Sequence, residues 1–327
     1  MIDRRAFIAG SLSLLTGPLA AEVQPTAKTA RIGILGFANT PTPPKPPYPP
    51  YMSPFIEGLR ERGWVEGQNV AFELREGPDL QGNATELVGL KVDVIAAMST
   101  PPALAAKAAT RTIPIVFAAN DVVEQGLVAS HARPGGNLTG MDWADVELAP
   151  KRLQLVKEAI PRIRRIALLI DADYRMAQRM VALSQASAQA LGVELQPIKA
   201  GLNELDEAFA TMTASRADAV AVFGAAPYWF ERRRIAELAA RQRLPSIFDT
   251  REYVDDGGLM SYEGATLAEA YRLITKHVDK ILRGAKPADL PVEFSTMFHL
   301  IINLKTAKAL GLTIPPSVRA RADEVIE

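Results

Sequence analysis

Short apolar runs recur along this chain, and between them the apolar positions shift to the three-to-four spacing of an amphipathic helix. RIGILGF at 31–37 reads as a buried strand and residues 55–62 as the helix after it. Residues 69–74 and 92–97 are the next strands, with a helix over 84–90 between them. A helix over 103–109 follows Pro101 and Pro102, and IPIVFA at 113–118 gives a fourth strand. Strand alternating with helix predicts a parallel sheet covered on both faces, because a right-handed crossover helix is the usual link between parallel neighbours.

A second series begins after RPGGN at 133–137: helix 151–159, strand 165–170, helix 176–191, strand 193–198, helix 205–215, strand 219–223, helix 230–241 and strand 246–248. It repeats the first in outline, so the expected fold class is α/β, with two doubly wound parallel-sheet lobes. From about Gly257 there remain a strand at 259–262, a helix at 267–283 and a tail, too short for a third domain. This segment is expected to return and finish the first lobe. The expected division is 29–142 with 256–290 for lobe 1 and 143–255 with 291–327 for lobe 2, joined by a multi-strand hinge. Residues 41–54 interrupt the rhythm with prolines interleaved with Tyr48 and Tyr51, which predicts a stiff, extended loop at the mouth of a cleft.

The first residues carry a different pattern. DRRAFI at 3–8, an apolar stretch to Leu19 and then Ala20 and Ala21 have the basic, apolar and small-residue parts of an export signal. The paired Arg4 and Arg5, with a middle diluted by Gly and Ser, favour the twin-arginine route, cleavage near Ala20 or Ala21 and a periplasmic location. Lys plus Arg and Asp plus Glu each number 37, so no net field draws the chain to nucleic acid or an anionic membrane. Cysteine is absent, so the fold rests on its apolar core and no lipid anchor through an N-terminal Cys is possible. No later run is long enough for a membrane span.

Reactive constellations are scarce. His131, His277 and His299 lack metal-ligand spacing, and neither a Gly-x-Ser-x-Gly elbow nor a phosphate loop occurs, so no metal or cofactor is expected. The pairs Asp255 with Asp256 and Asp171 with Asp173 suit acid-base work, and equally turns and helix caps. In an open parallel sheet, ligands sit beyond the carboxyl ends of the strands. That rule selects Ser99 and Thr100, whose hydroxyls at a helix start suit a carboxylate or an ordinary cap. It also selects Asn39, Asn120, Asp121, Asp171, Tyr174, Asp249 with Tyr253, and the aromatic stretch with Tyr228 and Trp229.

Many segments in one order then resemble a known family: GWVEGQNV at 63–70, KVDVI at 91–95, ALAAKAAT at 103–110, IPIVF at 113–117, GLVAS at 126–130 and ARPGGN at 132–137. RRRIAELA at 232–239, GGLMSY at 257–262, VDKIL at 278–282, GAKPADLP at 284–291, INLKTAKALGLTIP at 302–315 and ADEVI at 322–326 continue the match. The chain resembles the ABC-transporter substrate-binding proteins of the tryptophan/tyrosine-transport type, with the type I periplasmic-binding fold. The resemblance implies two lobes that close on a small ligand, handed to a membrane permease and its ATPase, and cleft residues at Ser99, Thr100, Asp121 and Tyr262. The chain departs from the family in its proline-rich loop, in Val122 where proline is usual, at Asp249 with Thr250, and in Glu263 set between Tyr262 and Gly264.

The expected function is a periplasmic solute receptor, a monomer, that binds an aromatic or branched amino acid without transforming it. Ser99 and Thr100 are expected to hold the acid group, Asp249 or Asp121 the ammonium, and Tyr228, Trp229 or Tyr262 the apolar part. The alternative is an exported α/β enzyme using strand-end carboxylates. A regulator lobe fits less well, because of the export signal and because no DNA-binding module precedes Arg31.

Overall fold

The computed structural model describes residues 29–38, 46–223 and 226–327. The export segment, Asn39 and residues 41–45 of the proline run lie outside the described residues.

The first sheet contains β1 (Ala30–Gly36), β2 (Val70–Glu76), β3 (Val94–Ala97), β4 (Ile115–Ala119), β5 (Leu138–Asp142) and β11 (Glu293–Phe294). Their order is β11-β5-β4-β3-β1-β2, every pairing parallel. Strands buried on both faces must be apolar on both. Ile32 and Ile34 accordingly pack on one side with Met52 and Phe55, and Leu35 on the other with Leu87 and Ala103. The covering helices are α1 (Ser53–Arg60), α2 (Leu80–Gly89), α3 (Thr100–Ala109) and a later one, α10 (Leu267–Leu282).

The second sheet contains β6 (Arg165–Asp171), β7 (Glu194–Ala200), β8 (Ala219–Val222), β9 (Ser246–Phe248), β10 (Met260–Glu263), β12 (His299–Asn303) and β13 (Glu324–Ile326). The order is β13-β12-β10-β9-β8-β6-β7, parallel except where β10 meets β12. Its helices are α4 (Asp145–Ala159), α5 (Ala177–Ala190), α6 (Leu205–Ala214), α7 (Ala226–Phe230), α8 (Arg232–Arg241), α9 (Glu252–Asp255), α11 (Leu304–Ala309) and α12 (Pro316–Arg319). The run β4-β3-β1-β2 is matched by β9-β8-β6-β7, so the second lobe repeats the first in topology as well as in pattern.

Three features differ from the sequence reading. The pattern gives no strand at 138–142, because LTGMD is too short and polar to register as an apolar run, yet β5 pairs along the whole length of β4. Gly140 makes this possible: its φ is 153°, and a Cβ there would stand 2.0 Å from the Phe117 carbonyl oxygen.

The lobe boundaries also move. Met260–Glu263, expected to finish lobe 1, joins the second sheet, because β9 offers it a parallel edge and β12 an antiparallel one. The expected return occurs one step later in α10, whose Ile274, Val278 and Ile281 share a core with Ile32 and Phe55. β11, expected in lobe 2, adds to the first sheet beside β5. The chain therefore passes between lobes at 143–144, 264–266 and 295–298. Thr266 and Glu269 form a capping box that starts α10 directly after the second passage.

Finally, α4 begins at Asp145 rather than after Pro150. Val146 and Ala149 are fully buried, and their packing holds the turns that precede the proline.

Candidate functional site

One cavity lies beyond the carboxyl ends of both sheets, with about 960 Å³ of space counting its mouth. Lobe 1 contributes Gly36 and Phe37 at the end of β1, Glu76 at the end of β2, Ser99 after β3, Asn120 after β4 and Trp143 after β5. Lobe 2 contributes Trp229 and Phe230 of α7, Asp249 and Thr250 after β9, Glu263 at the end of β10, and Asp145 and Arg152 of α4. The two sheets thus aim their strand ends at the same space, the arrangement expected of a ligand site in open α/β sheets.

Glu76 reaches the cavity because residue 36 has no side chain: a Cβ on Gly36 would lie 2.3 Å from Glu76 Oε1. That oxygen accepts a hydrogen bond from the Tyr51 hydroxyl at 2.6 Å. Burial, then the Glu76 contact, push the Tyr51 phenol far above its usual range, so it remains a donor. Tyr51 belongs to the proline-rich segment, whose end is not the expected extended loop: it turns through a 3-10 helix at Pro50–Met52 into α1, and this turn sets Tyr51 at the cleft. Its ring meets Trp229 edge-on at 5.7 Å, and Phe37 meets Phe230 at 5.8 Å, so aromatic rings from opposite lobes close one end of the cavity.

Among the described lining residues Arg152 is the one cationic group, and it is almost wholly buried. Its guanidinium pairs with Asp145 Oδ1 at 2.5 Å, and its Nε donates to the Tyr262 carbonyl oxygen at 2.7 Å. Phe223 lies beneath it, 4.9 Å from the guanidinium carbon to the ring centre. Glu263 is 3% exposed, and no side chain hydrogen-bonds to its carboxyl oxygens. Burial pushes it up to about 9; Glu252 and Asp249 push the same way, while the Arg251 backbone and Arg152 pull back without offsetting them. At neutral pH Glu263 is therefore held in its neutral form.

Beside the cavity, the Tyr174 hydroxyl of lobe 2 donates to Asp121 Oδ2 of lobe 1 at 3.3 Å. Arg179 of α5 pairs with Glu124 of lobe 1 at 2.9 Å and also with Glu147. Burial, followed by Asp145, Glu147 and Asp142, raises Asp121 to about 8.

Of the residues selected from the sequence, Ser99, Asn120, Trp229 and Asp249 line the cavity, and so does Tyr253. Asn39 lies outside the described residues. Thr100 is not on the lining: its hydroxyl accepts from the Asn120 amide at 2.9 Å and ties α3 to the end of β4. Tyr228 donates to the Ala200 carbonyl oxygen at 2.7 Å inside the lobe 2 core. Asp171 accepts from the Asp173 amide at 2.8 Å, the turn its spacing also allowed. Asp121 and Tyr174 pair with each other across the lobes rather than facing the cavity. Tyr262 stacks on Phe298 at the third passage between lobes, because alternation along β10 turns it away and Glu263 inward.

The residues missed are informative. Glu76 obeys the strand-end rule, but the pattern ends β2 at residue 74. Arg152 carries no sequence signal, since an arginine in an amphipathic helix reads as solvent-facing.

A family model described as ABC transporter substrate binding protein matches residues 50–326. A tyrosine-binding protein from Clostridioides difficile (strain R20291) is 28% identical over 271 residues, 79% of this chain and 75% of that one. A crystal structure of a conserved domain protein from Vibrio cholerae superposes with a TM-score of 0.80 at 25% identity, covering 91% of this chain and all of the other. A Streptococcus pneumonia structure in complex with L-Trp gives a TM-score of 0.78 at 26% identity, covering 90% of this chain and all of the other.

Proposed function

The chain belongs to the ABC transporter substrate binding protein family, and on that premise we propose that it is an exported solute receptor that closes its lobes over an aromatic amino acid or a close relative of one. The closed form is then recognised by a membrane permease and its ATPase, and the receptor works as a monomer. The observation that carries this reading is the cavity itself: both lobes wall it, and aromatic rings from each meet across it. Relatives of the chain include a tyrosine-binding protein and a structure holding L-Trp, which support an aromatic ligand. Export by the twin-arginine route, with removal of the first residues near Ala20 or Ala21, belongs to the same reading and rests on DRRAFI and the small residues that end the segment.

Ser99, Asn120, Trp229 and Asp249 are the expected ligand contacts from the strand ends, with Tyr51 and Phe230 as ring walls. Native mass spectrometry of the mature protein with tryptophan, tyrosine and their derivatives tests the reading. One ligand per chain, released on denaturation with its mass unchanged, is expected. A converted product would favour the enzyme alternative, and a chain that binds none of them would contradict the reading.

A further inference from the structure

Polar side chains still able to bond a ligand line the cavity from opposite lobes. On lobe 1, Ser99 Oγ after β3 and Asn120 Oδ1 after β4 are buried with no hydrogen-bond partner among the described residues. On lobe 2 the register of β9 with β10, Ile247 beside Met260 and Phe248 beside Ser261, brings Thr250 level with Glu263 two residues further on. Thr250 Oγ1 is buried and has no hydrogen-bond partner among the described residues. The Arg251 backbone N–H donates to the Glu263 carboxyl. A neutral carboxyl accepts through one oxygen and donates through the other, so with Arg251 on the acceptor its O–H is left for the cavity. Trp143 and Ala265, joined by an indole N–H to carbonyl bond of 3.1 Å, line the space next to it. One O–H donor beside one hydroxyl matches a ring hydroxyl, which accepts from the first and donates to the second. A ligand carboxylate fits this end poorly, because Glu252 and Asp249 act on Glu263 more strongly than Arg152 does; Ser99 and Asn120 suit it better.

We propose that Glu263, with Thr250, sets the specificity of the cleft: its carboxyl donates to a hydroxyl on the ligand's aromatic ring, so that phenol-bearing aromatic amino acids are selected over those with a bare ring. This rests on the receptor reading and narrows its ligand class. The ligand keeps its carboxylate, which lies at Ser99 and Asn120 on the other lobe. A ring without the hydroxyl leaves a buried donor with no acceptor, and a site built to bond a hydroxyl rejects such an analogue far more strongly than an apolar pocket discriminates by size. An indole N–H donates but does not accept, so tryptophan also leaves the Glu263 O–H unanswered. The proton stays on Glu263 throughout, and binding exchanges none with solvent.

Titration calorimetry at pH 7 with tyrosine, phenylalanine and tryptophan tests this, each in two buffers of different ionisation enthalpy. Tyrosine is expected to bind tenfold or more tighter than either of the others, with no net proton exchange. Glu263→Leu should bring tyrosine level with phenylalanine, and Thr250→Val should narrow the gap in the same direction, so the test does not hang on one variant folding. Glu263→Gln, which keeps a donor at the same place, should keep tyrosine ahead, and Ser99→Ala should weaken tyrosine and phenylalanine by the same factor. Phenylalanine or tryptophan binding wild type as tightly as tyrosine overturns the proposal and leaves the receptor reading standing. A tyrosine preference that survives both Glu263→Leu and Thr250→Val does the same, as does release of close to one proton on binding. If none of the three amino acids binds, the receptor reading falls and this proposal with it.

Discussion

Neighbouring hydroxyls at the start of α3 have opposite fates. Thr100 bonds to the Asn120 amide, whereas Ser99 Oγ has no partner and makes no cap. Thr100→Ala should therefore cost about 1 kcal/mol of folding stability. Ser99→Ala should stay within about 0.5 kcal/mol. Urea unfolding of the two variants checks the contrast, and equal losses would show that Ser99 also supports the fold. Glu263 gives a pH test at the same scale. Its carboxyl, ordinarily near 4.5, is raised to about 9, so it holds its proton more tightly folded than unfolded. Its contribution to stability is intact below the ordinary value and is lost as pH rises through the folded one. Glu263→Gln should thus melt with wild type at pH 4 and above it at pH 8 in ligand-free protein, by scanning calorimetry. A variant that melts lower at pH 8 would mean that the carboxylate is stabilised in the empty cavity.

At the scale of elements, what was legible followed from apolar continuity. β1, β3, β4, β6 and β8 are mostly apolar and buried on both faces, and their pattern marks them without any tertiary knowledge. β5 was not legible, because its strand character depends on Gly140 meeting the Phe117 backbone and on Thr139 donating to the Leu290 carbonyl oxygen, both distant in sequence. The sheet to which β10 belongs was hidden for a similar reason, since β12 lies beyond the helix that follows it. The site divides along the same line. Ser99, Asn120, Trp229 and Asp249 stand near strand ends and could be read from topology, whereas Tyr51 arrives from a 3-10 turn in the proline-rich segment and Arg152 from the buried face of a helix. Gly140→Ala tests the close approach directly: the added methyl meets a carbonyl oxygen in a backbone region closed to alanine. A loss of 3 kcal/mol or more, on the order expected for forced overpacking and strain together, should appear as a collapse of the thermal midpoint. A wild-type midpoint would mean that β5 can slip away from β4.

At the scale of the whole molecule, the lobes meet through Tyr174 and Asp121, through Arg179 and Glu124, and through the aromatic pairs. Asp121 lies among carboxyls of both lobes, Asp142 on its own and Asp145 and Glu147 on the other. Beyond burial itself, Asp145 and Glu147 push its value up from the other lobe, so contact between the lobes favours the protonated form of Asp121, raised to about 8. Closure should be strongest at low pH and weaken as pH rises through that value. Small-angle scattering across pH 6 to pH 9.5 should show the ligand-free radius increasing, and Asp121→Asn should flatten the change; a radius independent of pH in the wild type would exclude this contact as a determinant of closure.

Receptor function requires the lobes to close around a bound molecule. The most direct test is small-angle scattering of the mature protein at pH 7 with and without saturating tyrosine, with tryptophan fluorescence, excited where tyrosine does not absorb, confirming occupancy through Trp143 and Trp229 at the cavity wall. A radius of gyration smaller with ligand than without, together with a change in emission, is the expected result. Saturated protein with an unchanged radius and unchanged emission would mean that the ligand binds elsewhere, and would contradict the assignment of the cleft between the sheets as the site.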